Sequence, residues 1–459
     1  MEAPSQLEQF LAGQQSEGEV VDTQSTFTIA KEEALRKIAE FQLPFENAWV
    51  VKVIQCAVAE AAAQPIRVDL TAKEARFFFV TNSITLEDLE AAYYDPEPSS
   101  NPALNHLIGA LWAVGLRLKW AFQFSPAQQR ESLIWDGEKL LRLDNKERHG
   151  CTYLSVSLLN SKGTLGWIKD RVAVAKKHAE ILKTLGRWCF TSPVPLSVDG
   201  RRIDSLFNCP THAPGNTTFP LVAGFLSGLQ PQFSVPPGTF RKSSLLDNPM
   251  AHRSSLTSVF EDGNIVGLHK NAINLIERLA EVKKTGGAYL LSSHWEWQGS
   301  GKQRKLCKSA EYTTIYWIRD GAVVDEQRLD IATHCSAAIF LSADELTADM
   351  TSFHLADTPQ RWARASSARK ELSKELHCME SLEESLDDVV SGIKSQGRWC
   401  GGALFGLGIL AMFGSPAHGI GLMIGGAVVG GGAASKAVAS ENALREAVHK
   451  LRESLEKHV

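Results

Sequence analysis

Residues 51–70 read VKVIQCAVAEAAAQPIRVDL, and this stretch begins the first folded unit. Its first ten residues place apolar side chains around most of a helical surface, which is typical of a buried helix. Pro65 ends the helical pattern, because proline has no amide hydrogen and clashes with the preceding turn. The alternation in IRVDL (66–70) then predicts a half-buried strand. The stretch therefore predicts a buried helix that leads directly into a sheet.

The same helix and strand patterns continue along the first two hundred residues. TIAKEEALRKIAEF (28–41) predicts a preceding helix, ARFFFVT (75–81) a second strand, and NHLIGALWAVGLRL (105–118) an apolar helix. Thr85 is a predicted N-cap of a short helix. A strand at 151–160, a long helix at about 166–185 and a strand within 193–204 follow. We expect one domain over residues 27–205, after a mobile polar tail at 1–26.

The remainder of the chain predicts a second domain and a helical end. Residues 206–267 are rich in Pro, Ser, Gly and Asn and predict a loop-rich junction. Residues 268–358 predict a second α/β domain, which opens with an amphipathic helix at 268–284. A charged helix is expected over 359–397 and a polar helix over 437–459. The expected fold class is therefore α+β, with a C-terminal helical region.

Residues 399–434 contain no Asp, Glu, Lys or Arg. The segment is longer than the roughly 20 residues that span a bilayer once, and it is interrupted at Pro416. It predicts a glycine-rich apolar hairpin over 398–436, flanked by Arg398 and Lys436 as expected for ends that stay on the cytoplasmic side. Glycines spaced four apart would let helices pack closely, within the hairpin or between copies. These packing candidates are Gly402, Gly406, Gly421, Gly425, Gly426 and Gly430.

A hairpin buried in a soluble protein is the alternative, but glycine costs about 1 kcal/mol per helical residue relative to alanine. Membrane insertion is therefore preferred. The membrane is the expected partner, together with self-association or a protein partner at the hairpin.

The composition restricts the expected partners, metal sites and cellular compartment. A net charge of −4 gives no reason to expect nucleic acid as a partner. The eight cysteines are scattered without a CxxC pair, so we expect reduced thiols in a cytoplasmic compartment and no metal site. The N-terminus lacks the apolar core of a signal peptide. We therefore expect a cytoplasmic body attached to a membrane through its C-terminal region.

The helix and strand at 51–70, followed by the segments at 75–93, 105–116 and 153–200, resemble the GHKL ATPase superfamily. This superfamily includes the ninety-kilodalton heat-shock chaperones, gyrase B, MutL and histidine kinases. The resemblance covers residues 27–205 and implies a GHKL-like α/β sandwich that binds ATP. The order of the chain also makes residues 268–358 resemble the middle domain of chaperones and MutL.

The residues depart from the family's catalytic pattern. Alignment on the IRV strand puts Val53 where the family has the glutamate that activates water, and Ala57 where it has the asparagine that holds magnesium. Glu60 falls where the family often has a further acidic residue, and Asn82 lies in the segment that replaces the adenine-binding motif. Glu60 and Asn82 are therefore the candidate cofactor-binding residues, ATP is the implied ligand, and neither magnesium nor a catalytic residue is expected.

Three functions stay open at this stage. The first is a chaperone-like GHKL relative with a degenerate nucleotide site, attached to a membrane and acting by binding or regulation. The second is a membrane-perturbing effector whose folded domains control release of the hairpin. The third is an ATP hydrolase with a non-standard site. His294, in the alternating strand SSHWEWQ (292–298), is interpreted as a surface-facing strand residue.

Overall fold

The computed structural model describes residues 31–41, 43–60, 64–95, 97–127, 129–144, 150–158, 167–211, 218–226, 228–235, 258–261, 264–267, 283–298, 305–349, 351–381 and 449–457. The chain divides into two compact units. The first unit extends to Ile203 and also includes Asp320–Ala322 and Ala348–His354. The second unit comprises the rest of the chain from Asp204 onward. The tail at 1–26 and the glycine-rich hairpin at 398–436 lie outside the described residues.

The first unit contains five α-helices, one π-helical segment (Ala113–Arg117) and eight strands among its described residues. The helices are α1 (Lys31–Phe41), α2 (Ala48–Ala59), α3 (Leu86–Tyr93), α4 (Pro102–Trp112) and α5 (Trp167–Trp188). The strands are β1 (Ile66–Leu70), β2 (Glu74–Phe79), β3 (Phe122–Ser125), β4 (Glu131–Trp135), β5 (Leu140–Asp144), β6 (Thr152–Ser157), β7 (Leu196–Val198) and β8 (Arg201–Arg202).

All eight strands belong to one sheet, in the order β5-β4-β3-β6-β2-β1-β7-β8. Neighbouring strands are antiparallel except β1 and β7, which are parallel. The strand predicted at 66–70 is β1, with Ile66 and Val68 turned into the core. A mixed α/β unit with a large sheet is thus observed where the sequence predicts one.

Helix α2 forms the centre of the core, because almost every side chain along it is buried. Trp49 packs edge-on against Phe77 of β2, with 5.6 Å between ring centroids, and α2 also packs on α4. This burial agrees with the predicted all-round apolar helix.

Local sequence signals explain where the next two helices begin. The Thr85 hydroxyl accepts a hydrogen bond from the amide of Asp88, as predicted for the N-cap of α3. The Asn101 side chain accepts hydrogen bonds from the amides of Ala103 and Leu104 and so caps α4. Pro102, as the first residue of α4, has no amide hydrogen to leave unsatisfied.

The second unit is built mainly from strands. They are β9 (Thr218–Phe225), β10 (Phe233–Val235), β11 (Ser258–Glu261), β12 (Asn264–Gly267), β13 (Lys283–Thr285), β14 (Gly287–Gln298), β15 (Lys305–Lys308), β16 (Glu311–Arg319), β17 (Ala322–Thr333) and β18 (Cys335–Ser342). The described helices are α6 (Pro359–Ser381) and α7 (449–457), with a 3₁₀ turn at Leu206–Asn208.

Six of these strands form one sheet in the order β15-β14-β18-β16-β17, with β9 also paired to β14. β16 and β18 are parallel, whereas β14 is antiparallel to both β18 and β9. β17 and β18 are consecutive in the chain, yet β16 lies between them. The chain therefore reverses at His334 and returns on the other side of β16.

Two parts of the second unit differ from the sequence predictions. The segment 206–267 was expected as a loop-rich junction, but it contributes β9 to the main sheet and the β11–β12 hairpin. Pro220 and Gly224 favour a loop, but the surrounding run TFPLVAGF is apolar and pairs along β14. The predicted helix at 268–284 lies outside the described residues except for Lys283 and Lys284. Those two residues belong to β13, because backbone pairing with β10 overrides their helical propensity.

Candidate functional site

The candidate site of the first unit lies where the C-terminal end of α2, the loop after β2 and the N-terminal end of α4 meet. Glu60 is the C-cap of α2. The loop contributes Asn82 and Ser83, and Asn101 precedes α4. The structure therefore brings the two predicted ligand residues, Glu60 and Asn82, to one place.

The Glu60 carboxylate is bound to the loop by three hydrogen bonds. Its Oε2 atom accepts the amide hydrogens of Asn82 and Ser83, with N···O distances of 2.6 and 3.0 Å. Its Oε1 atom accepts a hydrogen bond from the Ser83 hydroxyl. Charge-assisted hydrogen bonds of this kind are about twice as strong as neutral ones. Glu60 therefore fixes the backbone conformation of the loop.

Asn101 extends the same network to the start of α4. Its Nδ2 atom donates to the Ser83 hydroxyl oxygen at 2.8 Å, while its Oδ1 atom caps the helix. The Asn105 side chain accepts a hydrogen bond from the Ser99 amide and donates one to the Ser99 carbonyl oxygen, both at 2.7 Å. The run SSNPALN (99–105) therefore folds into a turn that places Asn101 beside Ser83.

Asn82 contributes its backbone to this network, while its side chain is exposed. Thr81 lies just before it in the chain. The hydroxyl groups of Thr81 and Thr152 lie 2.8 Å apart, and Thr152 also accepts the amide hydrogen of Thr81. Both residues are buried. The buried polar groups of Thr81 and Thr152 therefore form hydrogen bonds with each other.

The two positions that carry catalysis in the resembled family are apolar and buried. Val53 is fully buried and Ala57 is 3% exposed, and both belong to the hydrophobic core of the first unit. Magnesium requires oxygen ligands, and activation of water requires a base. Neither Val53 nor Ala57 supplies such a group. The residues present at these positions therefore do not fit a magnesium–nucleotide complex of the family type.

The polar groups on α2 offer no substitute nucleophile. Burial raises the pKa of the Cys56 thiol well above its ordinary value, and the Glu60 carboxylate raises it further. A thiol held protonated is a weak nucleophile. Lys52 is also buried, and its ammonium nitrogen lies 4.9 Å from the centroid of the Phe353 ring.

The second unit contains a buried histidine that the sequence interpretation assigned to the surface. His294 is 4% exposed, and its Nε2 atom lies 2.9 Å from the hydroxyl of Ser336, which is itself fully buried. Burial lowers the pKa of His294 to about 4, and the nearby His334 contributes in the same direction. The surface interpretation was wrong, because the face of β14 that carries Ser292 and His294 is buried. A buried Ser–His pair lacks the access to substrate that nucleophilic catalysis needs.

The described residues hold neither a metal-binding cluster nor a membrane-spanning helix. Among the described parts of both units, no group of His, Cys, Asp and Glu side chains is arranged to hold a metal ion. No helix within the described ranges has the length and apolar character needed to cross a bilayer. The packing glycines Gly402, Gly406, Gly421, Gly425, Gly426 and Gly430 lie outside those ranges.

Comparison with known proteins gave matches only among solved structures. No protein-family model and no curated protein matches the chain. The ATPase domain of Aquifex aeolicus MutL complexed with ADP is 10% identical, with a TM-score of 0.28, over 64% of this chain and 91% of that chain. A second structure of the ATPase domain of the mismatch repair endonuclease MutL from Aquifex aeolicus is 10% identical, with a TM-score of 0.27, over 68% and 93% of the two chains.

The N-terminal domain of a DNA repair protein is 9% identical, with a TM-score of 0.34, over 76% of this chain and 100% of that chain. TM-scores this low do not define a fold family. The class of this chain therefore rests on its own architecture, which is a mixed α/β protein with two large, separate sheets.

Proposed function

We propose that the chain is a GHKL-related, chaperone-like binding protein that does not hydrolyse ATP and that acts by binding or regulation at a membrane. The first support is the order of elements. A buried helix, two antiparallel strands, two helices, further strands, a long helix and a last strand follow one another from α2 to β7. This is the order that the GHKL resemblance implies for residues 27–205.

The observation that carries the absence of hydrolysis is the burial of Val53 and Ala57 in the core. Placing a carboxylate at Val53 would bury an unpaired charge, which proteins avoid. The α2 face at these positions is therefore used for packing. Glu60, the nearest acidic residue on α2, already accepts three hydrogen bonds from the loop.

Phosphate release from ATP by the purified full-length chain tests this half of the proposal. We expect no magnesium-dependent release above that of a buffer control, and binding of ATP is measured separately by the shift in thermal unfolding with and without magnesium. Magnesium-dependent release that falls in the Glu60→Gln variant would overturn the proposal. A contaminating ATPase would not respond to that substitution, so the variant separates the two sources.

The membrane half of the proposal is supported by the sequence of residues 398–436, whose central part carries no Asp, Glu, Lys or Arg. The partner is a lipid bilayer, the folded body stays in the cytoplasm, and the glycine-spaced faces favour self-association. A carbonate wash of cell membranes tests it by comparing the full chain with a chain ended after Gln396. We expect the full chain to remain in the pellet and the shortened chain to be soluble. Equal solubility of the two would remove the membrane role.

A further inference from the structure

One edge of the main sheet of the second unit is unpaired among the described strands. β17 is the last strand in the order β15-β14-β18-β16-β17, and of these strands only β16 pairs with it. The first four residues of β17 are buried, and Asp325 among them accepts the amide hydrogen of Leu355. From residue 328 to residue 332 exposed and buried side chains alternate. An open edge presents backbone N–H and C=O groups to which another strand can bind.

Two opposite charges lie two residues apart on the exposed face of this edge. Arg328 and Asp330 are exposed, whereas Leu329 between them is buried. Within the described ranges, neither charged side chain forms an ion pair or a hydrogen bond. Arg67 and Asp69 on β1 have the same spacing, but they pair with each other at 3.2 Å. The two charges on β17 are therefore available to a partner.

The spacing of these charges selects one way of joining two copies edge to edge. Identical strands that pair antiparallel in one sheet are related by a two-fold axis at one residue, and side chains of the same face lie opposite each other. An axis at Arg328 would oppose two guanidinium groups, and an axis at Asp330 would oppose two carboxylates. An axis at Leu329 places each Arg328 opposite Asp330 of the other copy. Across a strand pair, unlike charges stabilise and like charges destabilise.

One other register also opposes unlike charges. An axis at Gln327 would place Arg328 opposite Glu326 of the second copy. Pairing on both sides of that axis would extend into the first four residues of β17, which are buried. The axis at Leu329 avoids them, because it needs only residues 326–332. The register centred on Leu329 is therefore the one that both charge and access favour.

We propose that the edge of β17 over residues 326–332 binds a second copy of this chain, antiparallel about a two-fold axis at Leu329. Backbone hydrogen bonds join the two sheets, and the two Arg328–Asp330 pairs fix the register. Charges on an edge strand commonly prevent pairing. Here they exclude the two neighbouring registers and favour one. This surface goes beyond the function proposed above, because it involves neither the nucleotide-type site nor the glycine-rich segment.

Charge reversal tests the interface in the full-length chain, with sedimentation velocity in mild detergent as the measure of association. We expect Arg328→Asp and Asp330→Arg each to weaken the dimer at least about tenfold, which is about 1.4 kcal/mol. Each change brings like charges face to face. The double variant Arg328→Asp/Asp330→Arg should associate like the wild-type chain, because it exchanges the two charges and keeps the pairing.

A mixture of the two single variants is the sharpest form of this test. The Arg328→Asp chain carries two carboxylates at these positions, and the Asp330→Arg chain carries two guanidinium groups. Neither should associate with itself, but the equimolar mixture should form a dimer. Urea unfolding of the dilute chains controls for folding and should give unchanged midpoints, since neither side chain has a described partner within its own chain.

Three results would overturn the proposal. They are a wild-type chain that stays monomeric at every concentration reached, association that survives both single reversals, and a mixture that does not recover it. The second result would assign association to another surface, such as the glycine-rich segment. Vesicle binding by flotation should be the same for the wild-type chain and both variants, so failure of the dimer is distinguished from failure of the membrane role.

Disulfide formation tests the register. A full-length chain with Arg328→Cys is mixed with one that carries Asp330→Cys, and the mixture is oxidised. We expect a cross-linked dimer that is much reduced in either chain alone, because the two positions oppose each other only between copies. The chain without added cysteines gives the background from native thiols. Arg328→Cys mixed with Glu326→Cys reports the axis at Gln327, and an equal yield from that control pair would overturn the register.

Discussion

Glu60 shows how one side chain can hold a loop in place. Its carboxylate occupies the end of α2 and accepts the amide hydrogens of Asn82 and Ser83. The sequence identifies Glu60 as a candidate ligand residue. In the structure its carboxylate accepts three hydrogen bonds from the protein. The sequence pattern located the residue but did not reveal these donors, because the loop conformation that presents its amides depends on contacts with Asn101.

We expect Glu60→Ala to lower the free energy of unfolding by about 1.5–3 kcal/mol, the range typical of hydrogen bonds to a charged group. Glu60→Gln should cost less, since an amide oxygen can still accept from the loop. Urea unfolding of the full chain measures both. Glu40→Ala, at an exposed position on α1, is the control and should change the midpoint little. Equal midpoints for Glu60→Ala and the control would show that the carboxylate does not hold the loop.

His294 should make the stability of the second unit depend on pH. Burial lowers its pKa to about 4, whereas an unfolded histidine titrates near pH 6.5. Between these values the unfolded chain binds a proton that the folded chain does not, so stability is complete above pH 6.5 and is lost as the pH falls toward 4. The loss is of the order of 3 kcal/mol over this window.

The variant His294→Asn keeps a polar group beside Ser336 but cannot titrate. We expect the difference in unfolding free energy between the wild-type chain and the variant to be constant above pH 7. It should shrink as the pH falls from 6.5 toward 4. Chemical unfolding at a series of pH values gives this difference. Parallel curves for the two proteins over that range would contradict the assignment.

At the scale of single elements, the second unit attaches the start of α6 to β17 through a buried ion pair. Arg361 Nη1 lies 3.1 Å from Asp325 Oδ2, and both side chains are about nine-tenths buried. Asp325 also accepts the amide hydrogen of Leu355, and Arg361 donates to the Leu355 carbonyl oxygen. The pair therefore fixes the turn that leads into α6.

Removing one member of a buried, hydrogen-bonded pair leaves an unpaired buried charge, which typically costs 3–5 kcal/mol. We expect a loss of about this size for Asp325→Ala and for Arg361→Ala, and a double variant whose loss is well below the sum. Unfolding free energies of the four proteins form the double-mutant cycle. Arg328→Ala, exposed on the same strand, controls for removal of a charge from β17. Additive losses would show that the two residues act independently.

The elements that sequence could predict are those whose pattern is local. The strand at 66–70 and the Thr85 cap are both observed, because alternation and a capping hydroxyl act within a few residues. Strand β9 was missed, since its proline and glycine favour a loop and its pairing partner β14 lies some seventy residues later. The burial of His294 was also missed, because it depends on segments that are distant in sequence. The alternation in its strand does not show which faces other segments cover.

At the scale of the whole molecule, the two sheets belong to separate units, and the C-terminal segment is joined to the second unit at both ends through α6 and α7. The sequence predicted two folded domains in this order. It could not predict that α7 returns to α6, because nothing local in a polar helix identifies its neighbour. The candidate residues Glu60 and Asn82 could be identified in the sequence, but their hydrogen-bond partners come from segments that meet only in the folded unit.

We expect the folded body to be insensitive to the identity of residues 399–434. Replacing them with a Gly–Ser linker of equal length should leave the urea midpoint unchanged, because the length of the loop between α6 and α7 is kept. The same chain should lose vesicle binding in a flotation assay. A linker of equal length built from the native residues in scrambled order is the matched control for hydrophobicity. A large drop in the midpoint of the Gly–Ser chain would mean that the segment packs on the body.

The parallel pairing of β1 with β7 has a consequence for synthesis on the ribosome. Ile66 pairs with Leu196, so this edge of β1 stays unpaired until some 130 further residues have been synthesised. At translation rates of about 5–20 residues per second, the delay is of the order of 10 s. During that time the nascent chain presents an open strand edge, which is a site for aggregation or for capture by a cellular folding factor. The charged side chains of Arg67 and Asp69 on this strand disfavour pairing with other nascent chains over that interval.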